Sequence, residues 1–390
     1  MIQRHAKLSQ SHSFFLFGPR GVGKSTLLNA YFKSSETLFI DLLDLSLMDS
    51  LLLDISRFEA LINSQEHRNK RVVIDEIQKL PRLLDIVHSQ IHKSKRQFVL
   101  TGSSARRLKQ QGTNLLAGRA WTFNLYPFTM EELGSQFDLK RALEFGCLPE
   151  AYLGKDFFET KEYLSAYVGT YLENEIQQEQ WVRKLEPFRK FLAVAAQMNG
   201  KIINCARIAR EIGVNDVTVA NYFEILQDTL IGFYLPGFHQ SVRKAQKQAP
   251  KFYFIDNGIK RALDKTLTVE LLPQTVAYGE AFEHFVILEI VKNISYNRLD
   301  WELSYLRTKN DQEIDLIIDR PGQNRILIEI KSKKVVLESD AKSLETLGND
   351  VDSKAEKFIF SQDPLSRSFG KTKALHWQEG VVMLFGKHPS

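Results

Sequence analysis

The sequence is short of the features that mark several classes of protein. Its 390 residues hold two cysteines, Cys147 and Cys205, far apart and in unrelated contexts. Neither a disulfide framework nor a zinc cluster is therefore expected, and a reducing interior is the natural setting. No apolar run is long enough to matter to a membrane: the stretch from Leu38 to Ile55 is broken by Asp41, Asp44, Asp49 and Asp54, so it cannot span a bilayer. The run Phe14-Phe15-Leu16-Phe17 leads straight into a glycine-rich loop and reads as structure, not as a cleaved leader. A large excess of one charge is also missing. The formal net charge of +5 is compatible with nucleic acid and diagnostic of nothing. These absences lead to the expectation of a cytoplasmic protein with no membrane partner. What is present is ample core: 43% hydrophobic and 25% charged residues describe a globular chain long enough for two or three domains.

The strongest motif follows the first apolar run. Gly18-Pro19-Arg20-Gly21-Val22-Gly23-Lys24-Ser25 has the spacing G-x-x-x-x-G-K-S, and Thr26 onward reads as a helix. A strand before and a helix after are what a phosphate-binding loop needs. The glycines let backbone amides close on phosphate oxygens, and the helix N-terminus adds partial positive charge. Lys24 would reach the β- and γ-phosphates of ATP, and the Ser25 hydroxyl would ligate Mg²⁺. An ordinary glycine-rich turn is the bland alternative.

Further strands are expected at Thr37–Asp41, Arg71–Asp75 and Gln97–Ser104, with a helix over Asp49–Ser64 between the first two. Arg71-Val72-Val73-Ile74-Asp75-Glu76 has the Walker B pattern. Asp75 would complete the Mg²⁺ shell beside Ser25, and Glu76 would polarise the attacking water; the plain alternative is a strand and a solvated turn. Ser103 or Ser104 is placed to orient water near the γ-phosphate, or merely to cap the next helix. Arg119 is a candidate arginine finger, or a surface arginine in a salt bridge.

Taken together, GPRGVGKS, VVIDEIQKLP, LTGSSAR, LAGRA and YPFTMEEL resemble a large prokaryotic family of AAA-type ATPases whose C-terminal region has no assigned function. Phe145-Gly146-Cys147-Leu148-Pro149-Glu150-Ala151-Tyr152 and Pro250–Asp256 agree, so the resemblance spans nearly the whole chain. It implies a five-stranded AAA-like core, strengthens Arg119 as a finger, and admits a homo-oligomer.

From Asp156 to Glu186 the pattern is helical, with Phe157, Phe158, Tyr163, Leu164, Tyr167 and Leu172 read as core. In Ile208–Tyr222, Ala209 four residues before Gly213 and then an amphipathic helix form a helix-turn-helix signature. Strands at Leu230–Leu235 and Lys251–Ile255 flank a basic loop, completing a winged helix. Asn215, Asp216, Thr218 and Asn221 offer no positive charge at the start of the second helix. DNA contact is therefore expected through the wing, by Arg243, Lys244, Lys247 and Lys251, unless the module serves internal packing.

Toward the C-terminus, Val276–Ile294 reads as a helix carrying Glu283. Strands are expected at Trp301–Leu306, Glu313–Ile318, Arg325–Ile330, Lys357–Ser361 and Val381–Phe385, with a helix near Asp340–Leu347. Asp315 on one strand, and Glu329 and Lys331 on the next, resemble the motif of PD-(D/E)xK, restriction-endonuclease-like nucleases, with Ile314 where the motif's name has proline. Asp315 and Glu329 would share Mg²⁺, Lys331 would orient or deprotonate water, and Glu283 would join or support the metal site. A solvated strand face with a Glu329–Lys331 ion pair is the alternative.

The fold expectation is thus α/β: an AAA-like P-loop NTPase core over 1–135, a helical linker or lid over 136–186, a winged helix-turn-helix over 187–256, and a restriction-endonuclease-like α/β domain over 270–390. The functional expectation is Mg²⁺-dependent ATP hydrolysis coupled to action on DNA. The alternative is an ATP-dependent switch that binds a protein partner and keeps a silent nuclease-like domain. A chaperone-like remodeller has no pore-loop signal to support it.

Overall fold

Five short apolar runs become five parallel strands in the computed structural model, which describes residues 2–103, 118–171, 185–239 and 248–386. They are β1 (Phe14–Phe17), β2 (Thr37–Asp41), β3 (Arg71–Asp75), β4 (Phe98–Gly102) and β5 (Trp121–Asn124). Their order is β2-β3-β4-β1-β5. Strands β1 and β4 are buried at every residue, as a parallel sheet covered on both faces requires. Phe15, Phe17, Phe58, Ile74, Val87 and Leu100 are among the residues of an apolar cluster there. Helix α1 (Lys24–Tyr31) follows β1.

The single helix expected over Asp49–Ser64 is two, α2 (Leu45–Leu53) and α3 (Ser56–Asn63). Asp54 is the reason: its carboxylate accepts hydrogen bonds from the Ser56 amide (3.0 Å) and hydroxyl (2.6 Å). A short polar side chain bonding the backbone just ahead competes with helix continuation and starts a new one. Helix α4 (Leu83–Ser94) joins β3 to β4.

The chain divides into two compact units, Met1–Phe128 with Ile225–Ile231, and Thr129–Glu224 with Gly232–Ser390. The second opens with short helices. In helix Phe157–Ala166 the expected aromatic core is only partly there. Leu164 and Tyr167 are buried, but Phe157 and Phe158, in the first turn, are exposed, Phe157 touching only the edge of the core through the Phe145 ring. Beyond Tyr171 the expected helix lies outside the described residues. Helices Cys205–Ile212 and Asp216–Asp228 flank Gly213, whose φ of 76° is the left-handed conformation the turn needs; Ala209 and Val219 are buried. The hairpin partners β6 (Gly232–Leu235) and β7 (Lys251–Phe254) pair antiparallel.

The last part is a six-stranded mixed sheet of β8 (Glu302–Arg307), β9 (Glu313–Asp319), β10 (Ile326–Lys331), β11 (Glu356–Ser361), β12 (Arg367–Phe369) and β13 (Thr372–His376). Their order is β12-β13-β11-β10-β9-β8. Helix Glu338–Val351 covers one face through Ala341, Leu344 and Leu347, which pack with Ile314, Ile317 and Leu327. The strand expected at Val381–Phe385 is instead part of helix Trp377–Phe385. Val381 and Leu384 are buried while Val382 and Met383 are about half exposed, a three-residue spacing that a short apolar run conceals. Among the described residues no helix is long and apolar enough to cross a membrane.

Candidate functional site

The loop after β1 is shaped by steric necessity. A Cβ at Gly18 would lie 2.4 Å from the Leu125 carbonyl oxygen, and Gly21 and Gly23 have φ of 77° and 88°. Only glycine accepts both demands cheaply. Pro19 and Arg20 form the outer turn, Val22 is buried beneath it, and Lys24, Ser25 and Thr26 open α1. Lys24 folds back into the loop, its Nζ donating to the carbonyls of Gly18 (2.8 Å) and Pro19 (3.2 Å). The ammonium therefore already stands inside the curve that phosphates would enter. Arg4, which the sequence reading passed over, holds the loop from behind. It donates to the Val22 carbonyl (2.8 Å) and the Tyr126 carbonyl.

At the end of β3, Asp75 meets the loop directly. Ser25 Oγ donates to Asp75 Oδ2 at 2.5 Å, and the Thr101 hydroxyl donates to Asp75 Oδ1. A hydroxyl and a carboxylate side by side are hard oxygen donors, the set that suits Mg²⁺ arriving on phosphates. Glu76 takes a left-handed backbone, φ 58°, its amide reaching Thr101 Oγ1 (3.2 Å). Its carboxylate accepts from Gln78 Nε2, and the same amide nitrogen lies 3.3 Å from Ser103 Oγ. Ser103 thus acts on Glu76 through Gln78, and Thr101 is the hydroxyl that touches Asp75. Ser104 lies outside the described residues. Thr101 and Gln78 lie inside the stretches LTGSSAR and VVIDEIQKLP, but no spacing rule in those stretches assigns either of them a role.

Arg119 is not brought to this loop. Strand β5 runs parallel to β1 with Trp121 opposite Phe14, so Arg119 is level with His12 at the N-terminal edge of the sheet. Gly18 lies at the other edge, about 20 Å away for a rise of roughly 3.3 Å per residue. The arginine instead sits 2.7 Å from His88 Nε2 on α4. The sequence leaves open whether a finger at Arg119 would serve its own or a neighbouring subunit's nucleotide, and the fold does not bring it to its own.

The second candidate site lies in the second unit, on one face of the six-stranded sheet. Strands β9 and β10 pair antiparallel through Ile328 opposite Leu316. Glu329 follows Ile328 on β10 and Asp315 precedes Leu316 on β9, where β9 is irregular against β8; Lys331 shares the face of Glu329 by alternation. Asp315 Oδ2 accepts from the Ile330 amide at 2.7 Å, and Lys331 Nζ is 2.5 Å from Glu329 Oε1. Helix Val276–Tyr296 brings Glu283, whose Oε1 accepts from the Tyr253 hydroxyl at 2.7 Å.

Lys251 was expected to face DNA. It is buried instead, bonded to Glu313 and 3.8 Å from Glu283. The correction follows from strand alternation, which turns Lys251 and Tyr253 the same way along β7. Arg243, Lys244 and Lys247 lie outside the described residues. Asn215 and Thr218, at the start of the second helix of the helix-turn-helix, bond each other and the local backbone.

Burial, then the nearby Asp315 charge, raises both Glu283 and Glu329 well above the usual carboxylate range. Burial alone would lower Lys331 and Lys251, but their carboxylate neighbours outweigh it and raise both. Among the described residues no group of three or more His, Cys, Asp or Glu side chains is gathered at metal-binding spacing; the lysines divide the carboxylates between them. Glu329 Oε2 is nonetheless buried with no hydrogen-bond partner among the described residues. A buried, unsatisfied carboxylate oxygen costs free energy, and a divalent cation is a group that would satisfy it.

Residues 10–134 match the model of an AAA domain, 136–270 a domain of unknown function (DUF8612) and 278–379 another (DUF4143). An uncharacterized protein of Mycobacterium tuberculosis is 26% identical over 316 residues, covering 79% of this chain and 68% of that one. One from Haemophilus influenzae is 22% identical, covering 80% and 85%. Among solved structures, the ORC2 protein of Aeropyrum pernix in its ADP form is similar over 66% of this chain and 88% of its own, with 13% identity and a TM-score of 0.31. A STAND protein of Pyrococcus horikoshii covers 74% and 48%, with 14% identity and a TM-score of 0.21. The AAA match covers the part of the chain that holds the loop described above and is a likeness of that domain, and the regions after it match domains of unknown function.

Proposed function

We propose that the chain is a Mg²⁺-dependent ATPase that acts on DNA, with the helix-turn-helix and β6–β7 hairpin as a winged helix and the C-terminal sheet as a PD-(D/E)xK nuclease-like domain. The observation that carries the second half is the cofacial set of Asp315, Glu329 and Lys331 on adjacent strands, with Glu283 facing it from the helix. In the first half, Gly18–Thr26 cradle the phosphates with Lys24 among them. Ser25 and Asp75 hold the Mg²⁺, which neutralises charge on the phosphates when bound. Glu76 accepts a proton from, or orients, the attacking water, while Gln78 fixes its carboxylate. Arg119 acts, where it acts on nucleotide at all, on that of a neighbouring subunit.

In the second half, Glu329 Oε2 and Asp315 are the oxygens for Mg²⁺, and Lys331 stands beside them to hold a phosphate oxygen or the attacking water. One observation favours a second reading, an ATP-dependent switch with a silent domain: Asp315 already accepts a bond from the Ile330 amide and the carboxylates are tied to lysines.

Purified protein incubated with single- and double-stranded DNA and Mg²⁺ or Mn²⁺, with and without ATP, tests both. Cutting by the wild type and not by Asp315→Ala is expected, and its ATP dependence reports the coupling. No cutting under any condition leaves the switch.

A further inference from the structure

Lys251 is the member of the carboxylate cluster that the six-stranded sheet does not supply. It comes from β7, two residues before Tyr253, and both side chains reach the same helix and sheet face. Its side chain is 5% exposed, so its ammonium is stripped of most water. Burying such a group is costly unless it is paired, and this one is. It bonds Glu313, lies 3.8 Å from Glu283 Oε1, and stands 5.2 Å from the centre of the Tyr305 ring. The Tyr305 hydroxyl in turn donates to the Ala249 carbonyl at 2.7 Å, which fixes the backbone two residues ahead of Lys251.

Charge bookkeeping gives the surroundings meaning. Glu283, Glu313, Asp315 and Glu329 are four acids, and Lys251 and Lys331 are two bases. They sort into two halves: Lys331 with Glu329 and Asp315, and Lys251 with Glu283 and Glu313. In the first half a carboxylate oxygen, Glu329 Oε2, has no partner among the described residues. In the second half each acid is engaged, and Tyr253 completes Glu283. Two carboxylates and an aromatic face around one buried positive charge form an ion's coordination shell with an amine in it.

We propose that the Lys251 ammonium is a resident cation seated in the Glu283–Glu313 half. The site therefore takes a single divalent cation, on Asp315 and Glu329, and neutralising the lysine opens a second cation position. The count for the wild type rests on the nuclease-like reading; the role of Lys251 stands on its own contacts.

The test counts Mn²⁺ bound to metal-stripped, nucleotide-free full-length protein, by calorimetry and by electron paramagnetic resonance of the free ion. Lys251→Met keeps the length of the side chain without its charge, Lys251→Arg keeps the charge, and Glu329→Gln removes the open oxygen. The wild type should bind one ion that Glu329→Gln loses, Lys251→Met one more than the wild type, and Lys251→Arg the wild-type number. Where Lys251→Met is too unstable to titrate, melting replaces counting. It should melt lower than the wild type in chelator, and Mn²⁺ should raise its melting temperature by more than it raises the wild type's, since a ligand bound only by the folded state stabilises it. Equal ion counts and equal Mn²⁺ responses in wild type and Lys251→Met overturn the proposal. No ion in the wild type but one in Lys251→Met upholds the resident cation and removes the metal from the nuclease-like reading. No ion in either overturns both.

Discussion

The two candidate sites solve the same problem, holding charge without water, in opposite ways. The loop at Gly18–Thr26 is built mainly from backbone, with glycines clearing space and a lysine bonded to its own loop's carbonyls. It is a positive cradle for an anion supplied from outside. The cluster around Glu329 is built from side chains, is acidic, and brings its own cations. The first is made by one turn of chain plus the end of β3. The second needs β7, β9, β10 and a helix to be in place before any of its charges is matched. A backbone site is thus local and motif-like, and a side-chain site exists only through the fold.

The largest expected effect breaks the comparison on the loop side. Lys24→Ala removes the ammonium inside the cradle and should weaken ATP binding by roughly 100-fold, the scale of charge-assisted hydrogen bonds at about 1.5–3 kcal/mol each, as read by equilibrium titration. Unaltered affinity would sink the phosphate-loop reading, while the Mn²⁺ response of the carboxylate cluster should not change in either case. Next in size is Glu76→Gln, which should leave ATP affinity intact and slow turnover by about 10²–10⁴-fold, the range for a general base. Gln78→Ala sharpens the point. It frees the Glu76 carboxylate from the Gln78 amide and should lower kcat by about tenfold with KM unchanged, since a small misplacement of a catalytic group costs rate. Wild-type kcat in Gln78→Ala would make that contact structural alone.

How much of each site could be read in the sequence follows from the same contrast. Gly18 to Ser25 is contiguous, and so is the strand ending in Asp75, so their meeting through Ser25 and Asp75 was legible. Thr101 and Gln78 were not, because a threonine one residue before Gly102 and a glutamine two residues past Glu76 carry no spacing rule. The motif around Arg119 left open whose nucleotide it would serve, since a motif says nothing of which end of a parallel sheet it occupies; the Phe14–Trp121 register does. At the second site, Asp315, Glu329 and Lys331 sit on adjacent strands and were legible by alternation. Lys251, Tyr253 and Glu313 were not. Their partners are up to 62 residues away, from Lys251 to Glu313, and a lysine beside a basic loop reads as a surface cation until its burial is known. Val381–Phe385 failed for a local reason, since five apolar residues fit a strand or one buried helix turn equally well.

The smallest predicted effect tests the carboxylate cluster's energetics without any reaction. In the folded chain burial first, and Asp315 next, push Glu329 up from 4.5 to about 8, against the pull of Lys331. Between those values the folded protein keeps a proton that the unfolded chain has lost, so stability must fall as pH rises through this window. Glutamine at 329 imitates the protonated acid at every pH. In chelator, Glu329→Gln and wild type should therefore melt alike near pH 4.5, and the variant should melt higher by pH 8, by about 2–4 °C for each kcal/mol in a unit of this size. Mn²⁺ should raise the wild type at pH 8 and leave the variant where it was, because the ion replaces the missing proton only when the carboxylate is there to hold it. A melting difference that does not change with pH would show that Lys331 already satisfies Glu329 in full, and the acidic cluster would then be a closed ion-pair network with no need of a metal.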